Sequence, residues 1–222
     1  MPVAPSDALK PRKTPRQARS AATVEAIFEA TIQVLLVDGY AGLTTTRVAG
    51  RAGVSVGTMY QYFPHKEALL YAVLEDYLED VIVAMEAAAG RSEGGPLRTM
   101  ADELCQAYLD AKLRRMPGSR ALYIVADTLE TASLVDDIVQ RADDIIRRLL
   151  SGASDARFED IDRVTYALRT MLVGTVRAVL EKDASPDAVA MLRAELPVMC
   201  RAYLLASASA SASASATRPA GS

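Results

Sequence analysis

The chain has 222 residues, of which 50% are apolar and 24% are charged, and its formal net charge is −3. This length and composition are typical of a globular protein of one or two domains, and they exclude a disordered or collagen-like chain. No uncharged apolar run reaches the ~18 residues of a membrane span, and no apolar stretch before Val24 resembles a secretory signal. The two cysteines are too few for a disulfide scaffold, so we expect a cytoplasmic protein that does not enter a membrane.

The positive charge is concentrated at the N-terminus. The first 66 residues hold eight Lys or Arg and four acidic residues, so the rest of the chain is acidic. Between Ala8 and Val24 there are five cations, two prolines and no acidic residue, which predicts a flexible basic arm over residues 1–19. Such an arm is either a solubilising tail or, beside a DNA-reading element, a contact to phosphates or to a groove.

The first predicted helix begins near residue 24 and ends at Asp38-Gly39, where the glycine is a stop signal. Its apolar residues recur at helical spacing and are Val24, Ile27, Phe28, Thr31 and Leu35. Two short helices follow, over residues 45–52 after a threonine cap and over residues 56–62 after the cap Ser55. These three helices make up the first predicted domain, over residues 20–66.

Longer helices are predicted for the rest of the chain, at about residues 66–89, 97–115, 119–131, 133–151, 156–182 and 186–206. Pro-Gly breakers separate several of them, Ser133 with Asp136 resembles a capping box, and Ser185-Pro186-Asp187 is a helix start. No useful stretch alternates with a period of two, so the fold class is all-α, with about nine helices. Residues 67–206 are expected to form a helical regulatory and dimerisation domain, followed by a low-complexity Ser/Ala tail over residues 207–222.

The two short helices predict a helix-turn-helix. Gly53 supplies the backbone freedom that the turn needs, and Met59 and Phe63, four residues apart, are expected to face inward. The residues left on the outside or at the edges are Val56, Gly57, Thr58, Tyr60, Gln61 and Tyr62. Because the second helix of such a unit enters the major groove, these groups can bond phosphates and base edges. The alternative is a helical corner inside an ordinary bundle.

This segment resembles the DNA-binding domain of the TetR family. The residues that carry the resemblance are Gly39-Tyr40, Thr44-Thr45, Val48-Ala49, Ala52-Gly53-Val54-Ser55, Gly57-Thr58, Tyr60, Tyr62-Phe63, Lys66-Glu67 and Leu69-Leu70. The continuation Tyr-x-Tyr-Phe-Pro-x-Lys-Glu is the most distinctive part. His65 departs from the pattern, because the family often has asparagine or serine there. Histidine is a poorer cap, so we expect a less firmly fixed start of the long helix and a solvated His65, with a pH sensor as the alternative.

The resemblance implies a homodimeric transcription regulator, in most members a repressor that binds double-stranded DNA. It places the DNA contacts at Thr45, Thr46, Arg47, Ser55, Val56, Gly57, Thr58, Tyr60, Gln61, Tyr62 and Lys66. By position, Thr45 and Thr46 would contact a phosphate or the groove edge, and Lys66 a phosphate at the positive end of the long helix. A two-fold dimer predicts a near-palindromic operator.

The family's dimer interface comes from its last two helices, here about residues 156–182 and 186–206. Apolar residues cover the first of these nearly all round: Ile161, Val164, Tyr166, Leu168, Leu172, Val173, Val176, Val179 and Leu180. The second has a stripe of Leu192, Leu196, Met199, Tyr203 and Leu204. A monomer would expose a large apolar patch, and Gly174 would let a partner helix approach closely. The alternative is that both helices face only their own core.

The resemblance also implies a pocket for a small-molecule effector, and the tyrosine and methionine content suggests a mainly apolar or aromatic ligand. Candidate lining residues are Cys105, Tyr108, Met116, Tyr123, Tyr166 and Met171. Arg169 and Arg177 interrupt an apolar helix and are interpreted as salt-bridge partners, with recognition of an anionic ligand as the alternative.

Neither an enzyme nor a metal site is expected. One histidine and two cysteines do not form a zinc-ligand pattern, and the acidic residues follow solvated helix faces, so we expect no catalytic residue, no metal and no cofactor. The competing class is a helical ligand-binding or scaffold protein without specific DNA binding.

Overall fold

The structure is a computed structural model, and it describes residues 18–116, 118–119, 122–123, 131–182 and 184–210. In that part of the chain there are eight helices: α1 Ala18–Gly42, α2 Thr45–Ala52, α3 Val56–Tyr62, α4 Lys66–Ser92, α5 Leu97–Arg114, α6 Ala132–Ser151, α7 Ile161–Lys182 and α8 Pro186–Ser207. The predicted all-α class is confirmed. The basic arm up to residue 17, most of the helix predicted at 119–131 and the tail beyond residue 210 lie outside the described residues.

Two short segments differ from the predicted helices and tail. Residues Ala156–Arg157 form a strand, β1, which pairs antiparallel with β2, Ser209–Ala210. α7 therefore begins only at Ile161, after Asp160, whose carboxylate accepts a hydrogen bond from the Arg163 backbone N–H at 2.9 Å. The prediction of a helix from residue 156 was wrong, because this pairing joins segments that are distant in sequence.

The predicted capping box at Ser133 is also wrong. α6 begins at Ala132, and the backbone N–H of Val135 donates to the carbonyl oxygen of Thr131 at 2.9 Å. The helix therefore starts before Ser133, which lies inside its first turn. At α5 a distant side chain provides the cap instead, since the Leu97 N–H donates to the Asp155 carboxylate at 2.8 Å.

The chain divides into two compact units: unit 1 contains residues up to Val81 together with Lys112–Val139, and unit 2 contains Ile82–Ala111 and the chain from Gln140 onward. The core of unit 1 gathers apolar side chains from α1 to α4, including Ile27, Val48, Met59, Phe63 and Leu69. The Phe28 and Phe63 rings lie 5.9 Å apart, centroid to centroid.

α1 is long and apolar enough over Ser20–Gly42 to pass a composition test for a membrane span. Its residues Ile27, Ala30, Val34 and Leu35 are buried in the core of unit 1. This packing accounts for its apolar character.

A buried polar cluster lies elsewhere in unit 1. The Tyr77 and Ser119 hydroxyls are hydrogen-bonded, and the Ser119 hydroxyl also donates to the Lys112 carbonyl oxygen at 3.1 Å. The Lys112 ammonium faces the rings of Tyr77 and Tyr123, at 4.8 and 5.4 Å from their centroids. Burial lowers the pKa of Lys112 to about 8, because the charged form loses its hydration.

In unit 2, α7 and α8 pack against each other. Their buried residues recur at helical spacing and are Val164, Thr165, Leu168, Leu172, Val176 and Leu180 on α7 and Leu192, Leu196, Cys200 and Leu204 on α8. These stripes form one face of each helix, so the remaining apolar residues of both helices lie on other faces.

Candidate nucleic-acid interface

The helix-turn-helix forms as local signals predict. The Thr44 hydroxyl accepts from the Arg47 N–H at 3.2 Å and caps α2, and the Ser55 hydroxyl accepts from the Thr58 N–H at 2.9 Å and caps α3. Between them, Gly53 has a φ of 68°, in the left-handed region that glycine favours. The turn therefore rests on caps and a glycine that are visible in the sequence.

Packing decides which face of α3 remains available. Met59 is buried in the core of unit 1, and Phe63, just after the helix, is buried beside it. Val56, Gly57, Tyr60 and Gln61 are exposed, and Thr58 is half-buried. The Thr58 hydroxyl shares a 2.8 Å hydrogen bond with Ser55. The exposed face thus combines the Tyr60 hydroxyl, the Gln61 amide, the apolar Val56 and Gly57, with the half-buried Thr58 hydroxyl beside them.

Tyr62 is not on the outside, where the sequence analysis placed it. Its side chain is only 8% exposed, and its ring lies 6.2 Å from the Phe63 ring. The physical reason is spacing, because Tyr62 follows Met59 by three residues and therefore shares its buried side of α3.

Tyr60 is held by a residue that the sequence analysis assigned a different role. The Thr45 hydroxyl donates to the Tyr60 hydroxyl oxygen at 3.3 Å, and Thr45 is buried. Tyr60 itself is 44% exposed. The bond joins the start of α2 to the exposed face of α3 and leaves the Tyr60 proton available to an outside acceptor. No sequence signal connects two positions fifteen residues apart in this way.

Arg47 is anchored to the last turn of α1. Its Nη1 donates to the Gly42 carbonyl oxygen at 3.0 Å and lies 3.2 Å from an Asp38 carboxylate oxygen. Gly39 interrupts α1 with a φ of 67° at the predicted glycine stop, but the chain resumes a helical turn and α1 ends only at Gly42. A Cβ on Gly42 would lie 2.7 Å from Asp38 Cβ, so only glycine fits there. The sequence analysis did not identify these partners of Arg47. The Arg47–Asp38 ion pair is exposed, so Arg47 can exchange Asp38 for a DNA phosphate.

The start of α4 is capped by His65. Its Nδ1 accepts from the Ala68 N–H at 3.2 Å when it carries no proton, and the same atom, 3.2 Å from a Glu67 carboxylate oxygen, pairs with that carboxylate only when protonated. The ring nitrogen takes the place of the usual side-chain oxygen, so this helix start has a cap, and a less firm hold than an asparagine or serine cap gives stays a prediction. The next residue, Lys66, has its ammonium 4.4 Å from the centroid of the Tyr40 ring. Thr46, on the first turn of α2, is exposed.

The six candidate ligand-lining residues belong to both units of the chain. Cys105 and Tyr108 are buried in unit 2, and Met116 and Tyr123 are half-buried in unit 1. Met171 is half-buried on α7, but Tyr166 is 62% exposed. A groove of about 640 Å³ in unit 1 lies along α1 and is lined by none of the six.

The residues predicted for the dimer interface include buried and exposed side chains. Most of the predicted stripe is buried within the chain, as described above. The exposed large apolar residues of α7 and α8, here called the α7–α8 apolar set, are Tyr166, Val173, Met191, Val198, Met199 and Leu205. Gly174 is exposed, and a Cβ there would meet nothing within 4 Å.

The interpretation of the two interrupting arginines as salt-bridge partners is confirmed. Arg169 Nε contacts an Asp143 carboxylate oxygen at 2.6 Å, and Arg177 pairs with Glu181 four residues later.

Sequence profiles of two families match the chain. "Bacterial regulatory proteins, tetR family" matches residues 27–73, and "Tetracyclin repressor-like, C-terminal domain" matches residues 96–204. The HTH-type transcriptional repressor KstR of Mycobacterium tuberculosis (strain ATCC 25618 / H37Rv) is 30% identical over 161 residues, which cover 72% of this chain and 71% of KstR. The chain belongs to the TetR family.

Solved structures show the same fold at lower identity. A putative TetR-family regulator from Mesorhizobium loti MAFF303099 matches with a TM-score of 0.69 at 18% identity, covering 86% of this chain and 98% of that one. The SmeT–triclosan complex matches with a TM-score of 0.67 at 18% identity, covering 85% and 92%. TetR-family proteins are DNA-binding transcription regulators and not enzymes, so the resemblance found in the sequence is confirmed.

Proposed function

We propose that this TetR-family protein is a cytoplasmic homodimeric repressor that binds a near-palindromic operator and is released from it by a small, mainly apolar or aromatic ligand. The observation that carries the proposal is the exposed face of α3, on which Tyr60 is held in place by the buried Thr45 hydroxyl. A side chain ordered in this way loses less conformational entropy when it binds DNA.

The exposed face of α3 enters the major groove. Val56 and Gly57 allow close approach, while Thr58, Tyr60 and Gln61 offer hydroxyl and amide groups to base edges and phosphates. Ser55 supports Thr58 through their shared hydrogen bond. Tyr62 supports the helix from its buried side.

Phosphate contacts come from cations and a hydroxyl around this face. Arg47 exchanges its exposed pair with Asp38 for a phosphate, and Lys66 offers its charge at the N-terminus of α4. Thr46 is exposed on the first turn of α2, where its hydroxyl can add a further bond. The basic arm adds positive charge, whose attraction to phosphates does not depend on the base sequence of the DNA.

Dimerisation uses α7 and α8. The α7–α8 apolar set would remain in water in a monomer, and the open surface at Gly174 accommodates a close partner helix. Because a two-fold dimer presents two copies of α3, the operator has two related half-sites.

An effector releases the protein from DNA by binding more tightly to the conformation that does not bind DNA. KstR is a repressor, which supports repression by this chain, and SmeT has been solved with triclosan, an aromatic compound, which supports ligand control. The buried Cys105 and Tyr108 and the half-buried Met116, Tyr123 and Met171 stay candidate contacts, whereas exposed Tyr166 is a weaker one. A ~100-fold preference, worth ~2.7 kcal/mol, is enough to release much of the DNA-bound protein.

The test is selection of duplexes from a random DNA pool by the purified protein, followed by sequencing. We expect an enriched inverted repeat whose binding weakens steeply with salt. A folded, dimeric protein that enriches no sequence would contradict the proposal and favour a ligand-binding or scaffold protein.

A further inference from the structure

The groove of about 640 Å³ in unit 1 follows one face of α1. Its lining residues on this helix recur every three or four positions, so they lie on one side of the helix from Ala21 to Leu36. At 1.5 Å per residue this face is about 22 Å long. The volume of the groove lies within the range of sites that bind small molecules.

Two rows of side chains run next to each other along this face of α1. The residues of one row are apolar, and they are Val24, Phe28, Ile32 and Leu36. The residues of the other row are polar and exposed, and they are Glu25, Glu29 and Gln33. Within each row the residues are four positions apart, and each polar residue directly follows an apolar one. This side of the groove is therefore apolar along its length and carries two carboxylates at its edge.

The rest of the described lining belongs to α4 and to residues that follow α5. It adds the buried apolar side chains of Val73 and Leu122. At Gly118 the chain comes so close to α1 that an added Cβ would lie 3.3 Å from Ile32 Cδ1. An apolar molecule in the groove would therefore meet apolar side chains from three parts of unit 1.

The charges that line the groove are unequal. Its described lining contains three carboxylates, those of Glu25, Glu29 and Asp76. It contains one guanidinium, that of Arg115, which already pairs with Asp76 at 2.6 Å and with Asp80 at 3.4 Å. Glu25 also attracts this guanidinium, but among the described residues neither Glu25 nor Glu29 forms an ion pair. The excess negative charge lies on α1, and it is complementary to a cation.

We propose that this groove binds an apolar monocation, in which an ammonium group is joined to an aromatic or aliphatic body. The ammonium group pairs with Glu25 and Glu29, which are one helical turn apart at the exposed edge. The apolar body lies along Val24, Phe28 and Ile32, where its removal from water supplies most of the binding energy. The carboxylates select the charge of the ligand. This site is independent of the effector contacts proposed above.

The test measures the binding of three naphthalene probes of similar shape to the full chain by isothermal titration calorimetry. Naphthylmethylamine is a cation at neutral pH, naphthylmethanol is neutral and naphthoic acid is an anion. We expect one amine to bind per chain, about tenfold more tightly than the alcohol, and the acid to bind most weakly. No measurable binding of the amine, or an alcohol or acid that binds as tightly as the amine, would overturn the proposal.

Variants without the two carboxylates locate the ammonium group. Glu25→Gln/Glu29→Gln should weaken binding of the amine about tenfold and leave binding of the alcohol unchanged, because it removes charge and keeps shape. The control Glu93→Gln/Glu159→Gln removes the same charge from two exposed glutamates outside the described lining, and it should leave both affinities unchanged. Circular dichroism checks the fold of each variant. Equal weakening in both double variants would show that only net charge acts, which contradicts the proposed site.

Two neighbouring positions locate the apolar body. Leu36 lines the groove and is 47% exposed, whereas Val37 is 75% exposed and does not belong to the described lining. Leu36→Lys removes an apolar contact and adds a cation, so it should weaken binding of the amine about fivefold. Val37→Lys should leave this binding unchanged. Equal affinities of the two variants for the amine would place its site elsewhere.

Two other results would assign the groove to a different occupant. A stoichiometry of one amine per two chains would indicate a site between two copies of the chain. Displacement of the amine by a synthetic peptide of residues 1–17 would indicate the basic arm, whose cations also complement the carboxylates of α1. Either result would overturn the proposal.

Discussion

The helix-turn-helix and the α7–α8 pair are both candidate interfaces, yet their surfaces are built differently. On α3 the exposed residues other than Val56 are either small or carry a hydrogen-bonding group, and Thr58 and Tyr60 are hydrogen-bonded to Ser55 and Thr45. On α7 and α8 the exposed groups are large and apolar. The first surface suits a charged, hydrogen-bonding partner, and the second suits another apolar surface.

Because of this difference, we expect binding through each surface to respond differently to substitutions and to salt. Polar recognition depends on direction, so loss of one positioned hydroxyl matters, and binding through phosphates weakens with salt. Apolar association depends on the area removed from water, so an inserted charge matters most and salt matters little. The following predictions test this contrast.

The largest effect is expected at Val173 on α7, which is 38% exposed. Val173→Glu would bury an unpaired carboxylate in the dimer and should raise the dimer dissociation constant more than a hundredfold. Sedimentation equilibrium measures this. The control is Val83→Glu, a valine on α4 that is 57% exposed and should leave the dimer intact. Equal behaviour of the two variants would remove α7 from the interface.

Tyr60→Ala should weaken specific operator binding about a hundredfold while binding to unrelated DNA changes little. The reason is that the ring and hydroxyl of Tyr60 contact base edges that only the operator sequence presents. Titrations with labelled operator and random duplex measure both affinities. Circular dichroism checks the fold. A specific affinity equal to that of the original protein would contradict the proposed role of α3.

Thr45→Val keeps the shape of a buried side chain and removes the hydroxyl that holds Tyr60. We expect about a tenfold loss of operator affinity with the dimer unchanged, since the hydrogen bond orders Tyr60 before binding. Thr45→Ser restores the hydroxyl and should recover most of the affinity. If serine and valine behave alike, the bond to Tyr60 has no role in recognition.

The smallest effect is expected at the cap of α4. His65→Ala should lower the free energy of unfolding by about 0.5–1 kcal/mol, because the Ala68 N–H loses its acceptor, while His65→Asn should be close to neutral. Urea denaturation measures both. A larger loss with asparagine than with alanine would show that the imidazole acts other than as a cap.

Local signals predicted one region of the fold closely. Thr44, Gly53 and Ser55 determine where α2 and α3 begin and where the chain turns, because a cap or a left-handed glycine acts within four residues. The resemblance to the TetR family came from the same segment. Here the sequence determined the bounds of α2 and α3 and much of the candidate DNA-binding face, with Tyr62 and Thr45 as exceptions because both are buried.

Other features depend on contacts between residues that are far apart in the chain. The Thr45–Tyr60 hydrogen bond, the β1–β2 pair and the capping of α5 by Asp155 have no local sequence signal. Local spacing was also insufficient for α7, which is apolar nearly all round.

The sequence by itself determined the helical class, the helix-turn-helix and the family. Only the tertiary structure decided which side of α7 is buried, that Tyr62 supports α3 from within, and that Asp155 caps α5. The physical reason is that a cap or a turn depends on a few neighbouring residues, whereas burial depends on what the rest of the chain places against each face.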